Sequence, residues 1–317
     1  MRKIKFGNSD LQVSPISFGG NVFGWTLDEK KSFQILDTLT ESGVNFIDTA
    51  DTYSTWVPGN QGGESETIIG NWLKQRGNRK VLVIATKLGG DMGNGKKGLS
   101  AKYVEKAVEA SLRRLGTDYI DLYQTHYDDP DTSVAETMEA LDKLVKAGKV
   151  RYIGTSNLSA ERIAQSNQYA KDNNLAPYIS LQPLYNLYDR EKLESEYLPL
   201  IEKSDLAVIP FYALASGFLS GKYRGEEDLN KSKRGGGMTQ YFNERGWAIL
   251  KALDEVAAEM NAPLAQIAIA LQLHKPYITA PIASATSEGQ VKDLVAAASL
   301  ALSDEQMEKL DKASEVK

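Results

Sequence analysis

The strongest constraint in this 317-residue sequence is a regular alternation of short apolar segments with longer segments of helical periodicity. Short β-branched or apolar runs are typical of buried strands, and amphipathic stretches between them are typical of surface helices. The predicted strands are residues 16–18, 45–48, 81–86, 120–125, 151–155, 179–182, 207–211 and 279–282. The predicted intervening helices are residues 28–42, 64–75, 101–115, 134–147, 160–172, 191–204 and 244–260. Glycines follow the first four helices, where a left-handed residue commonly ends a helix: Gly43, Gly77, Gly116 and Gly148.

Eight strands alternating with helices predict an α/β fold, a parallel (β/α)₈ barrel of the TIM type. The competing architecture is a doubly wound open sheet, which a G-x-G-x-x-G turn after the first strand would favour. Residues 18–24, at the end of that strand and directly after it, lack this spacing. An N-terminal hairpin, residues 3–6 and 11–13, is expected to close the lower end, and residues 264–273 and 304–312 to form extra C-terminal helices. Because no linker or composition break interrupts the chain, we expect a single domain, 1–317.

Composition excludes several kinds of chemistry. The sequence has no cysteine, which excludes disulfides, thiolate nucleophiles and cysteine-based metal sites, and its two histidines cannot build a multi-histidine metal centre. A net charge of −5 repels phosphate backbones, so nucleic acid is not an expected partner. Without a signal-peptide core or a long uncharged apolar window, we expect no membrane span and a cytoplasmic location.

In a barrel the reactive groups stand at the carboxyl ends of the strands. Asp48 ends the second predicted strand, Lys87 follows the third and His126 follows the fourth. A lysine desolvated at the barrel mouth needs a carboxylate partner, which Asp48 supplies from the neighbouring strand. If the hydroxyl of Tyr53 reaches Lys87, the cation lowers the phenol pKa and suits it to acid–base catalysis. The alternative is a solvated lysine and a tyrosine packed on the rim.

These residues carry a resemblance to a known family. Three segments resemble the sequences around the catalytic tetrad of the aldo-keto reductases. They are Phe-Ile-Asp-Thr-Ala-Asp-Thr-Tyr, which contains Asp48 and Tyr53, Ile-Ala-Thr-Lys, which ends at Lys87, and Gln-Thr-His, which ends at His126. Residues 153–157, 182–186 and 217–223 resemble further family segments in the expected order, so the resemblance covers nearly the whole chain. Within the family it resembles bacterial-type members related to the potassium-channel β-subunit-like branch.

The resemblance implies a barrel without a Rossmann domain and reversible, NAD(P)H-dependent reduction of aldehydes or ketones by direct hydride transfer. It implies that Tyr53 protonates the alkoxide, that Lys87 paired with Asp48 lowers the phenol pKa, and that His126 orients the carbonyl. It also implies a set of cofactor-binding residues: Ser156, Asn157 and Gln182 at the nicotinamide carboxamide, Phe211 stacked on the nicotinamide, Leu214, Ser216, Gly217, Ser220 and Lys222 at the pyrophosphate, and Thr286, Gln290 and Asp293 at the adenosine.

The choice of dinucleotide depends on the adenosine end. Residues 283–290, after the last strand, contain no basic side chain that could pair with a 2′-phosphate. Arg234, in the basic run 231–237, resembles an arginine that some members fold over that phosphate, although such a run is also typical of a solvated loop. We therefore expect NADP(H), with NAD(H) left open.

The substrate is expected to be a small carbonyl compound or alcohol. Trp25, Trp56 and Tyr127 follow strand ends and are predicted to line an aromatic, largely neutral mouth suited to apolar or aromatic carbonyls, unless they only cap the barrel. The sequence identifies neither the physiological substrate nor the oligomeric state.

Three other functions remain open. Lys87 could form a Schiff base in a lyase. The chain could be a cofactor-binding sensory or partner subunit, since some family members serve ion channels in this way. A metal-dependent hydrolase using Asp51, Asp128 and Asp129 is the weakest alternative, because His126 has no nearby histidine partner and the three carboxylates can be solvated loop residues.

Overall fold

The computed structural model describes residues 1–93 and 95–316. Within them, eight parallel strands lie side by side in one sheet in the order of the sequence, except that the last strand lies beside the first. Hydrogen bonds of 2.8 Å from the N–H groups of Thr279 and Ile282 to the carbonyls of Val208 and Pro210 join the two edges, so the predicted (β/α)₈ barrel is confirmed. The strands are β3 (Ser17–Gly19), β4 (Phe46–Asp48), β5 (Val83–Leu88), β6 (Ile120–Thr125), β7 (Val150–Ser156), β8 (Tyr178–Gln182), β9 (Ala207–Val208) and β10 (Ile282–Ala283).

The predicted N-terminal hairpin is present and fills the lower end of the barrel. Strands β1 (Ile4–Lys5) and β2 (Gln12–Val13) pair antiparallel, and the ring of Phe6 packs edge-on against Phe46 at a centroid distance of 5.4 Å. Gly7 turns the hairpin with a φ of +50°, and a β-carbon there would lie 2.9 Å from the carbonyl oxygen of Asp205. The turn therefore requires glycine both for its backbone conformation and for this close approach.

The helices surround the barrel largely as predicted. They are α1 (Glu29–Glu41), α2 (Glu64–Arg76), α3 (Ala101–Leu115), α4 (Val134–Lys146), α5 (Ala160–Asp172), α6 (Leu198–Ile201), α7 (Glu244–Met260), α8 (Leu264–His274), α9 (Glu288–Ala297) and α10 (Asp304–Ser314). The four glycines predicted to end helices all have left-handed φ values. The predicted helix 191–204 is shorter and contains a π-helical turn, Leu193–Tyr197, before α6.

The position of the two extra helices corrects the sequence prediction. We expected α7 to belong to the barrel and α8 to be extra, but α8 packs against the barrel helix α9, whereas α7 packs against α10. Helix α8 is apolar on several sides because it is covered by the barrel on one side and by α7 on the other. No single helix in the described ranges is long and apolar enough to cross a membrane; α7 and α8 reach that length and composition only together, with a 96° bend between them.

Several strands begin or end at other residues than predicted, and prolines explain two of these differences. Strand β9 stops before Pro210 and β10 begins after Pro281, because proline cannot donate to a strand ladder. Strand β5 runs two residues further than predicted, so Lys87 lies within the strand. Its predicted first residue, Val81, instead belongs to a short 3₁₀ turn and is 71% exposed.

Candidate active site

Three neighbouring strands bring the predicted catalytic residues to one rim of the barrel. Asp48 is the last residue of β4, Lys87 the penultimate residue of β5, and His126 directly follows β6. Since these strands are parallel and adjacent, their carboxyl ends meet. Tyr53 reaches the same point from the turn after β4. The structure thus brings together all four residues of the predicted tetrad.

The charged centre of the site is a fully buried ion pair. Lys87 Nζ lies 2.6 Å from Asp48 Oδ2, and both side chains have no solvent exposure. The ammonium also donates to the carbonyl of Thr49 at 2.8 Å and to the hydroxyl of Tyr53 at 2.8 Å. The Tyr53 hydroxyl in turn donates to Asp48 Oδ2 at 3.2 Å. All three hydrogens of Lys87 are therefore used, which is how a buried ammonium becomes tolerable.

Two buried glutamines bind the other oxygen of this carboxylate. Gln182 Nε2 lies 2.9 Å and Gln124 Nε2 3.2 Å from Asp48 Oδ1. The sequence indicated Gln182 only as a cofactor residue, and it missed Gln124. The available signal was its position two residues before His126, since alternate residues of a strand face the same side.

The pKa of Tyr53 is raised, whereas the sequence predicted that Lys87 would lower it. Burial, followed by the neighbouring Asp48 carboxylate, raises the pKa of the Tyr53 hydroxyl well above its usual value. Lys87 is close enough to oppose this effect, as predicted, but it shares its charge with Asp48. Burial also lowers the pKa of the Lys87 ammonium, against the opposing effect of Asp48. At neutral pH Tyr53 therefore holds its proton and is a donor.

His126 faces this centre as a neutral imidazole. Its ring centroid lies 6.2 Å from that of Tyr53, and its Nδ1 lies 3.3 Å from Thr52 Oγ1. Burial and the charge of Lys87 lower the pKa of His126 well below 6.5. If Nδ1 accepts from Thr52, the proton is carried by Nε2 and is available to a ligand.

The His126 pKa predicts a pH dependence of stability. Below about pH 6.5 the unfolded chain takes up a proton at this histidine while the folded chain does not, so the free energy of unfolding falls as the pH decreases. We expect His126→Gln to reduce this fall on the acid side and to leave the dependence above pH 7 unchanged. Urea denaturation of both proteins at several pH values measures it, and parallel curves throughout would contradict the prediction.

The predicted nicotinamide residues lie beside this centre. Asn157 has a left-handed φ of 58°, and its Nδ2 donates to the carbonyl of His126 and to Ser156 Oγ. Ser156 Oγ donates to the backbone carbonyl of Gln182, so hydrogen bonds connect the three predicted residues. Phe211 follows β9 and is half-buried beside Tyr212, an aromatic residue that sequence reasoning missed and that is 47% exposed.

The predicted pyrophosphate loop is a tight irregular turn. Ser216 and Gly217 have φ values of 54° and 104° inside it, and Ser220 Oγ donates to the carbonyl of Gly217 at 2.7 Å. Lys222 reaches back to this turn, where a β-carbon at Gly217 would lie 3.0 Å from its Nζ. Leu214 begins the turn. The five residues predicted for this loop are therefore adjacent in space.

Arg234 crosses the mouth of the barrel instead of lying in solvent. Its guanidinium lies 5.2 Å from the ring centroid of Trp25, and Lys233 Nζ donates to the Trp25 carbonyl at 3.0 Å. The amide of Asn21 fits best with its oxygen 2.9 Å from Arg234 Nη2. Burial lowers the pKa of Arg234, and within residues 1–93 and 95–316 no carboxylate is ion-paired with it.

The predicted adenosine residues lie at the start of α9. The N–H of Thr286 donates to Gln290 Oε1 at 2.7 Å, which orders the turn into the helix. Asp293 is one turn further on and accepts from Gln266 at 3.0 Å, so its carboxylate is bonded to a side chain of α8. Thr286 and Gln290 are exposed.

Comparison with known proteins gives the chain a family. Residues 15–315 match the model of the aldo/keto reductase family. The chain belongs to the aldo/keto reductase family. It is 35% identical over 301 residues to a probable voltage-gated potassium channel subunit beta from Oryza sativa subsp. japonica, covering 92% of this chain and 89% of that protein.

Two further relatives have names that refer to enzymes. The chain is 33% identical over 326 residues to a norsolorinic acid reductase from Aspergillus flavus, covering 98% of this chain and 80% of the relative. It is 33% identical over 307 residues to the uncharacterized oxidoreductase YrpG of Bacillus subtilis, and the match covers 94% of this chain and 91% of that protein. This aldo/keto reductase is therefore an oxidoreductase by family, with carbonyl reduction as its general chemistry.

Aromatic side chains surround the mouth of this aldo/keto reductase. Trp25 packs edge-on against Trp56 at 5.5 Å, and Trp56 lies 6.3 Å from the ring of Tyr53. Tyr127 stacks on His126 at 4.5 Å. Trp56 and Tyr127 are each 50% exposed, so the three residues predicted for the pocket do stand around the tetrad.

The three carboxylates considered for a metal do not form one group. Asp51 is 1% exposed, and burial, followed by the charge of Glu66, raises the pKa of its carboxyl well above the usual value. Asp128 pairs with Arg162 at 3.2 Å, and Asp129 accepts from the N–H of Leu99 at 2.7 Å. The interpretation as solvated loop carboxylates, which the sequence left open for all three, therefore does not hold for Asp51.

Proposed function

We propose that this chain reduces aldehydes or ketones to alcohols, reversibly, with NAD(P)H, and that Tyr53 is the general acid. One observation carries the proposal: the Tyr53 hydroxyl lies 2.8 Å from the Lys87 ammonium, which is itself paired with Asp48, at the rim of the barrel. When bound, the reduced nicotinamide supplies the hydride. The residues of the chain supply the proton and stabilise the charge that develops on oxygen.

The raised pKa of Tyr53 is compatible with this role. A tyrosine that is protonated throughout the neutral range is ready to donate, and an alkoxide is a stronger base than a phenolate, so the transfer is favourable. Lys87 then lies against the phenolate that remains and stabilises it. Asp48 keeps Lys87 charged although burial favours the neutral amine. His126 would donate from Nε2 to the carbonyl oxygen and orient it.

The chain's own groups fit a dinucleotide. Lys222 and Arg234 are half-buried, and in the described parts of the chain neither is ion-paired with a carboxylate. Unpaired, partly desolvated cations favour bound anions such as phosphates. We assign the dinucleotide to the residues predicted above: Ser156, Asn157, Gln182, Phe211, Leu214, Ser216, Gly217, Ser220, Lys222, Arg234, Thr286, Gln290 and Asp293. Arg234 favours NADP(H), and NAD(H) is the alternative.

Replacing Arg234 with alanine tests the dinucleotide preference. A charged hydrogen bond contributes about 1.5–3 kcal/mol, so NADPH binding should weaken about 10- to 100-fold while NADH binding changes little. Arg224→Ala is the matched control, because this arginine of the same loop is committed to Asp254 by two bonds of 2.7 Å. Fluorescence titration measures both cofactors. Equal losses for NADPH and NADH in Arg234→Ala would contradict the assignment.

The reaction itself is tested with a panel of carbonyl compounds. The aromatic mouth and the name of the norsolorinic acid reductase relative favour apolar aromatic carbonyls. Loss of reduced-nicotinamide absorbance with NADPH or NADH, and the reverse assay with alcohols, would measure turnover. Turnover on any member supports the proposal. Absence of turnover on the whole panel, despite tight cofactor binding, would favour the partner-subunit function that the name of the rice relative suggests.

A Schiff-base lyase is less compatible with the geometry. Attack on a carbonyl needs a neutral, accessible amine. Lys87 has no exposed surface, and its three hydrogens are bound by Asp48, Thr49 and Tyr53. Borohydride trapping of a substrate on Lys87 would reverse this judgement.

A further inference from the structure

Gln124 is a buried amide with no role in the proposed reaction. It lies on β6, pairs in register with Lys87, and has no solvent exposure. The preceding residue on the same face, Leu122, is apolar and belongs to the core at the lower end of the barrel. A buried amide in such a place is costly unless it is hydrogen-bonded. Its partners therefore identify what it does.

The amide of Gln124 connects the catalytic carboxylate to the predicted carboxamide-binding residue. Its Nε2 donates to Asp48 Oδ1 at 3.2 Å, and its Oε1 accepts from Gln182 Nε2 at 3.3 Å. Gln182 Nε2 also donates to Asp48 Oδ1 at 2.9 Å. The three side chains form a closed triangle in which Asp48 Oδ1 has two donors, matching the two donors on Oδ2.

This triangle fixes which atom Gln182 offers to a ligand. Both hydrogens of its Nε2 are used, one by Asp48 and one by Gln124. In the described residues its Oε1 has no hydrogen-bond partner, so Gln182 presents an acceptor. If the side-chain amide of Gln182 were rotated by half a turn, its Oε1 would face Gln124 Oε1 and the carboxylate of Asp48. That orientation is unfavourable because it places acceptor oxygens against one another. A primary amide ligand would therefore have to bring its NH₂ group to this position.

We propose that Gln124 is a positioning residue that orients both the Asp48 carboxylate and the Gln182 amide. It thereby couples the proton donor, through Asp48 and Lys87, to the side chain that receives the nicotinamide carboxamide. This inference rests on the proposed function. It goes beyond it by assigning a task to a residue that touches neither the substrate nor the cofactor.

The first test is Gln124→Leu, which keeps the volume and removes both hydrogen bonds. We expect the Kd for NADPH to rise about tenfold and kcat to fall about tenfold, which corresponds to the loss of one or two hydrogen bonds. The KM for the carbonyl should stay within about twofold. Thr125→Val is the matched control, since Thr125 is buried on the same strand but bonds to Thr155 on the neighbouring strand. It should affect the melting temperature and neither NADPH affinity nor kcat.

The second variant is Gln124→Glu, which carries the test if Gln124→Leu does not fold. As a neutral acid the introduced carboxyl can donate to Asp48 and accept from Gln182; once ionised, it repels Asp48. Of the titratable groups of the site, Asp48 contacts this position directly, and Lys87 and Tyr53 are bonded to the other oxygen of Asp48. NADPH binding and kcat should therefore be close to those of the unmodified chain at low pH and fall with rising pH, which a structural role would not produce.

The outcomes separate the two proposals. NADPH affinity, kcat and pH profile equal to those of the unmodified chain in both variants would overturn the role of Gln124 and leave the proposed function intact. An unmodified chain that binds neither NADPH nor NADH would overturn the proposed function and this inference with it. A tenfold loss in Gln124→Leu together with the pH-dependent recovery in Gln124→Glu would support the role.

Discussion

Tyr53→Phe is expected to lower kcat for carbonyl reduction about 10²- to 10⁴-fold, the range that one positioned acid–base group contributes. Among the residues that the structure describes, Tyr53 is the one partner of Lys87 whose side chain carries a transferable proton, and phenylalanine keeps the ring and removes that proton. Cofactor affinity should stay within about twofold, because the ring still fills its place beside Trp56. Single-turnover measurements with saturating NADPH separate the chemical step from binding.

Tyr123→Phe is the matched control for this prediction. Tyr123 is a fully buried tyrosine of β6 whose hydroxyl has no hydrogen-bond partner within residues 1–93 and 95–316, and it belongs to the core outside the site. Removing its hydroxyl should leave kcat unchanged. If Tyr53→Phe retained most of its activity, Tyr53 would not be the general acid, and His126 would become the first donor to test. An equal loss in both variants would indicate a general effect of removing a buried hydroxyl.

Features that depend on the order of residues along the chain could be predicted from the sequence. Strand and helix alternation predicted the barrel, and adjacency of parallel strand ends predicted that Asp48, Lys87 and His126 meet. Features that depend on distant packing could not. Whether α7 or α8 completes the barrel is decided by what covers the apolar sides of α8, and periodicity alone contains no information on its neighbours.

The pKa of Tyr53 also depends on packing that the sequence does not reveal. The sequence indicated the nearby cation and therefore predicted a lower pKa. The structure adds burial and a second contact, from the hydroxyl to Asp48, and both raise the pKa. Gln124 was missed for a related reason: a glutamine inside an apolar strand becomes meaningful only when its partners on β4 and β8 are known.

Lys87→Met is expected to destabilise the fold and abolish turnover together. Removing one partner of a buried ion pair leaves an uncompensated charge, which costs about 3–5 kcal/mol. The carboxylate of Asp48 would retain its three neutral donors, Tyr53, Gln124 and Gln182, so the loss should lie toward the lower end of that range. Turnover should fall at least as far as in Tyr53→Phe, because the phenolate left by proton transfer would face Asp48 without a cation.

A double variant distinguishes the electrostatic cause from a packing defect. Lys87→Met combined with Asp48→Asn removes both charges, so most of the lost stability should return while turnover stays abolished. Urea denaturation gives the free energy of unfolding for the two single variants and the double variant, and an initial-rate assay gives their turnover. If the double variant were no more stable than Lys87→Met, the loss would come from the missing ammonium's packing and hydrogen bonds. Asp48 would then not be the reason that this lysine is charged at the barrel mouth, and the proposed coupling of the ion pair to Tyr53 would have to be abandoned.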